Sequence, residues 1–144
     1  MKIILDTNFL IYCAKEKLDY IENISNLIND NYELVVIEQV IEELKKVMNK
    51  KKTKLPFLKR KPKFKKTTGK DKEAASLALQ LIDKYIEEGK IKKISSNEKN
   101  VDEAIIKLAK ENPKNIVCTL DRELRKTLGR VILINKYKKL IVSR

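Results

Sequence analysis

Two stretches of the chain share one arrangement. "KIILDTNFL", from Lys2, and "IVCTLDREL", from Ile116, each run from an apolar, β-branched segment through an aspartate into a helical pattern. The carboxylates at these junctions are Asp6 and Asp121. An aspartate between strand and helix can cap the helix, its side-chain oxygen accepting from an otherwise unpaired backbone N–H. At the carboxyl end of a strand in an open α/β sheet it also stands where such sheets place their ligands.

Two amphipathic helices bring further acids. At about 100° per residue, the apolar residues Val40, Ile41, Leu44, Val47 and Met48 centre near Leu44. Glu43 lies at the edge of that face, whereas Glu42 points nearly opposite. In the helix expected from Val101 to Lys110, Asp102 flanks the apolar face and Glu103 points away. Each helix is thus expected to offer one half-buried acid and one solvated acid. Each acid also has a purely structural use: Asp121 as a cap, Asp102 as a first-turn acid favoured by the helix dipole, Glu43 as partner of Lys46.

If the four converge, their electrostatics demand a counter-charge. Carboxylates a few ångströms apart stay ionised together only beside a cation; otherwise their pKa values rise. The chain has no histidine, which removes Ser-His and Cys-His triads, His-ligated zinc and the commonest general base. An all-oxygen pocket suits Mg²⁺ or Mn²⁺, which can polarise a phosphoryl oxygen and acidify a water. Thr7, Asn8 and Thr119 adjoin the two aspartates and are placed to orient the acids or their waters. Two cysteines, Cys13 and Cys118, fit neither a disulfide framework nor a zinc site, and Cys118 reads as a buried core residue.

The elements that must position these groups follow from period and punctuation. Strands are expected at 2–6, "YELVVI", "KIKKIS", "NIVCT" and "VILI". Between them lie helical pieces from Phe9, from Asp19 to Leu27, from Glu38 to Met48, over "KDKEAASLALQLIDKYIEE" up to Gly89, from Val101 to Lys110 and over "DRELRKTLG". Strands alternating with helices specify parallel βαβ units and a three-layer α/β/α sandwich. All strand-to-helix junctions then emerge at one edge of the sheet. At 144 residues, 42 % hydrophobic, with three Gly and three Pro, the chain fits one domain rather than a turn-rich all-β fold. No signal-peptide pattern or apolar run of about 18 residues appears, so a soluble, cytoplasmic protein with no membrane partner is expected.

The net charge of +13 is concentrated. From Lys45 to Lys66 there are twelve Lys/Arg and no acid; removing them from the chain's 33 leaves 21 basic residues against 20 acidic ones. The segment contains Lys50, Lys51, Lys52, Lys54, Lys59, Arg60, Lys61, Lys63, Lys65 and Lys66, interleaved with Phe57 and Phe64 and interrupted by Pro56 and Pro62. Such cations neutralise phosphates and such rings stack on unpaired bases. The segment, about 49–69, is expected to be an insertion that is mobile without RNA. Five phosphate contacts would give a log–log salt slope near −3.5, at roughly −0.7 per phosphate.

"IILDTNFLI", "VIEELKK", "VDEAIIKLA" and "IVCTLDRELRKTL" occur in the order and context of PIN domains, and the chain resembles that family over essentially its whole length. It resembles the archaeal branch similar to the eukaryotic ribosome-biogenesis PIN nuclease and to VapC-type ribonucleases, which the "GKDKEAASLALQLIDK" helix also resembles. The resemblance implies a parallel sheet in order 3-2-1-4-5, an acidic Mg²⁺ or Mn²⁺ site and endonucleolytic cleavage of RNA. Carried over by position, the catalytic and metal-binding acids are Asp6, Glu43, Asp102 and Asp121, with Glu103 where the family often has a second Asp. Implied partners are RNA, a second copy of the chain in a homodimer, and an antitoxin or ribosome-assembly factor. Three functions follow: an RNA-processing endonuclease, a toxin-like ribonuclease held by an antitoxin, or a non-catalytic RNA-binding scaffold that keeps the fold. A phosphoreceiver domain would want an acidic pair after its first strand, which "LDTN" does not supply.

Overall fold

The computed structural model describes residues 1–49 and 69–143. The part of the basic segment from residue 50 to 66, with the RNA contacts expected of it, lies outside these residues.

The strands are β1 (Lys2–Leu5), β2 (Glu33–Ile37), β3 (Ile91–Ile94), β4 (Ile116–Cys118), β5 (Val131–Ile134) and β6 (Leu140–Ser143). The helices are α1 (Thr7–Lys15), α2 (Tyr20–Leu27), α3 (Glu38–Asn49), α4 (Gly69–Glu87), α5 (Val101–Lys110) and α6 (Arg122–Leu128). They form one six-stranded sheet in the order β3-β2-β1-β4-β5-β6. β1 to β5 are parallel, as expected, and β6 is an added antiparallel strand at the edge.

β1 is central and dry: Ile3, Ile4 and Leu5 are fully buried. Covering each such side chain is worth about 1.5–3 kcal/mol, so the apolar run that precedes Asp6 also fixes its register. Ile3, Ile4 and Leu5 pair with Ile116, Val117 and Cys118 of β4, which brings the two aspartate junctions side by side. Cys118 is buried core, as its apolar context predicts.

α1, α3 and α4 pack on one another, while α5 packs with α6 and against β1 and β4. Right-handed crossovers place helices on opposite faces according to the direction the chain travels across the sheet. The direction reverses between β1 and β4, so the sheet carries its topological switch point there. Among the described residues no helix is long and apolar enough to cross a membrane.

Candidate active site

The two aspartate junctions meet at the switch point. Asp6 follows β1 directly, caps α1 by accepting from Thr7 N–H at 2.8 Å, and is only 5 % exposed. Its other oxygen, Oδ2, accepts the Thr119 hydroxyl at 2.6 Å. Thr119, the residue after β4, is itself buried, and its oxygen accepts from Asp121 N–H at 3.1 Å. One threonine thus joins the two aspartate junctions. Asn8 adds a second tie, its Oδ1 accepting from Leu120 N–H at 3.2 Å. Thr7 Oγ1 is buried and has no partner among the described residues.

Asp121 caps α6, with Oδ1 accepting from Glu123 N–H at 2.8 Å and Leu124 N–H at 3.4 Å. The capping role and the placement at the switch point therefore coexist in both aspartates. Glu43 is half-buried on α3 and Glu42 exposed, as the helical periodicity predicts. Glu43 forms no ion pair with Lys46 among the described residues.

Asp102 departs from expectation. It is exposed rather than half-buried. It is the second residue of α5 after the capping Asn100, and the helix turns Val101, Ala104 and Ile105 toward the core while Asp102 and Glu103 face outward.

The charges nevertheless act on one another. Burial pushes the Asp6 carboxyl up from 3.8 to about 6, against the hydrogen bonds from Thr119 and Thr7, and the charges of Asp102 and Glu43 push it the same way. Asp102 is raised by partial desolvation and by the charges of Asp121 and Glu123. Asp6 is thus coupled to Glu43 and Asp102, and Asp102 to Asp121, so all four predicted acids share one field. Glu123 joins them although the sequence reading passed over it. Its signal was its place two residues after Asp121 on α6, the position of a first-turn acid.

Among the described residues no three acids stand close enough together to hold a metal ion between them as the side chains lie here. The candidate donors are carboxylate oxygens throughout, and no ammonium or guanidinium is among the causes acting on Asp6 or Asp102. This chemistry fits a hard divalent cation.

A further contact sets the spacing between two of the acid-bearing helices. Gln39, in the first turn of α3, donates from Nε2 to the carbonyls of Ser96 and Glu98 at 2.9 and 2.8 Å. This fixes the helix of Glu43 against the loop that leads to Asp102.

Residues 58–135 match the family described as "PIN like domain". The chain is 35 % identical over 127 residues to Ribonuclease VapC4 of Methanocaldococcus jannaschii, covering 88 % of this chain and 82 % of that protein. In architecture it is similar to the PIN domain endonuclease Utp24, with a TM-score of 0.65 and 16 % identity, covering 96 % of this chain and 90 % of Utp24. It is also similar to a domain of a functionally unknown M. jannaschii protein, with a TM-score of 0.51 and 18 % identity, over 89 % and 84 % of the two chains.

Proposed function

The chain belongs to the PIN-like domain family, and on that premise we propose that it is a metal-dependent endoribonuclease whose acids Asp6, Glu43, Asp102 and Asp121 form the catalytic centre. One observation carries this reading. Asp6 and Asp121 are joined through Thr119 at the switch point of the sheet, and the buried Asp6, on which the charges of Asp102 and Glu43 act, has its pKa raised to about 6. Burying the Asp6 carboxylate with further acids acting on it opposes folding, so its place there is not explained by stability.

Asp6, Glu43, Asp102 and Asp121 would hold Mg²⁺ or Mn²⁺, which would supply Lewis-acid polarisation of a phosphoryl oxygen and an acidified water. The protein's own groups do the rest. Thr119 holds the Asp6 carboxylate in one orientation through its 2.6 Å hydrogen bond, which spares the site a reorganisation as charge develops. Asp121 spends Oδ1 on two backbone N–H groups, leaving Oδ2 to orient a water. Asn8 keeps the first and fourth junctions in register. Cleavage breaks a P–O ester bond as the water oxygen adds to phosphorus; the water's proton passes to a carboxylate, and the leaving oxygen is protonated from solvent.

The name of the relative that is 35 % identical, a VapC ribonuclease, favours a toxin-type setting with an antitoxin partner over RNA processing. The two settings share this chemistry and differ in the RNA that is cut. The test is cleavage of a panel of single-stranded and hairpin RNAs with Mn²⁺, Mg²⁺ or EDTA, by the wild type and Asp6→Asn in parallel. Cutting that requires the metal and falls at least 100-fold in the variant is the expected result, the loss typical of removing one catalytic electrostatic group. Salt-dependent RNA binding with no cutting under either metal would support the non-catalytic scaffold instead.

A further inference from the structure

The β5–β6 hairpin lies at the edge of the sheet that holds the acids. β5 is parallel to β1 through β4, so the turn after Ile134 emerges on the same side as Asp6 and Asp121. Two strand spacings, about 10 Å, separate β1 from β5, roughly three nucleotides of a stacked strand.

The turn holds its tip in one conformation. Lys138 N–H donates to the Asn135 carbonyl at 3.0 Å, and Asn135 N–H to the Lys139 carbonyl at 2.9 Å. Asn135 Oδ1 accepts from Tyr137 N–H at 2.9 Å and Lys139 N–H at 3.0 Å. Lys138 adopts φ +60°, the left-handed residue that closes a three-residue hairpin. Its ammonium meets Glu16 Oε2 at 2.6 Å, which ties the turn to the end of α1. On this frame Tyr137 is 70 % exposed. The Lys136 ammonium lies 5.1 Å from its ring centroid, and Lys139 is exposed beside it.

We propose that this hairpin is a platform for single-stranded RNA, on which Tyr137 stacks against an unpaired base near the scissile phosphate while Lys136 and Lys139 neutralise flanking phosphates. The assignment rests on the ribonuclease reading and extends it to a substrate contact. Three observations support it. The acids repel a polyanion, so the edge that carries them needs fixed cations to hold RNA in place. A tyrosine already held outward on a rigid turn loses little entropy when it stacks, and its face accepts any base. Lys136 lies over that ring and Lys139 is exposed on the same turn, and neither forms an ion pair among the described residues, a combination suited to a polymer that is both anionic and aromatic.

The test is binding of a labelled single-stranded oligoribonucleotide in EDTA, followed by fluorescence anisotropy, for the wild type, Tyr137→Ala, Tyr137→Phe and Lys136→Gln/Lys139→Gln. Stacking predicts about a tenfold weaker Kd for Tyr137→Ala and near wild-type binding for Tyr137→Phe. Two lost phosphate contacts predict a log–log salt slope shallower by about 1.4 for the double variant. Unchanged binding by Tyr137→Ala, or equal losses in Ala and Phe, would overturn the platform. If the same variants still cut RNA, the ribonuclease reading survives that outcome. Absence of RNA binding by every protein at low salt would instead overturn the substrate class on which both rest.

Discussion

At the scale of single residues, Asp6 stands under opposing demands. Its apolar strand needs full burial, and burial penalises the carboxylate; Thr119 and Thr7 offset only part of that penalty. Between 3.8 and about 6 the folded chain holds a proton that the unfolded chain has released. Stability of the metal-free protein therefore falls as pH rises through that window, because the unfolded state binds fewer protons there. At 1.36 kcal/mol per pKa unit the loss reaches about 3 kcal/mol and is complete above pH 6. Asp6→Asn removes the charge and keeps the shape, so in EDTA it is expected to stabilise the protein more at pH 7.5 than at pH 4.5. Urea denaturation of both proteins at the two pH values measures this. An equal effect at both would show that Asp6 ionises normally.

Elements place these residues, and the sequence made some of them plainer than others. β1 and β4 are legible because their apolar runs are short, β-branched and followed by the same Thr/Asp chemistry. α3 is legible enough to separate Glu43 from Glu42, since one side of that helix is packed along its length. α5 was located, yet Asp102 was expected to be half-buried and is exposed. A helical wheel gives a residue's direction and not how far its flank is covered, and here the flank beside Val101 and Ala104 is left open at Asp102. β6 was not anticipated. "KKLIVSR" ends the chain after a turn without glycine, where Asn135 supplies the capping oxygen and Lys138 takes the positive φ instead. α6 is closed by Gly129 at φ +76°, with open space where a Cβ would lie. Gly129→Ala therefore meets no steric clash and carries only the conformational cost of a left-handed residue, about 1–2 kcal/mol. Thermal unfolding should show that loss while RNA cleavage at room temperature stays unchanged, because Asp121 is positioned from the other end of the helix.

At the scale of the whole molecule, charge is segregated. The Asp6 and Asp121 junctions lie side by side at one edge of the sheet, while the chain's excess of positive charge is concentrated between Lys45 and Lys66. On the proposed reading only the folded chain unites Asp6, Glu43, Asp102 and Asp121, so a divalent cation should recognise the native chain and not its segments. The central claim is that these acids act as one metal site, and Mn²⁺ titration by calorimetry at pH 7.5 tests it most directly. Saturable binding that is lost in Asp6→Asn, and that weakens in the wild type as pH drops below about 6, is the predicted result. Identical Mn²⁺ binding by the wild type and Asp6→Asn would contradict it.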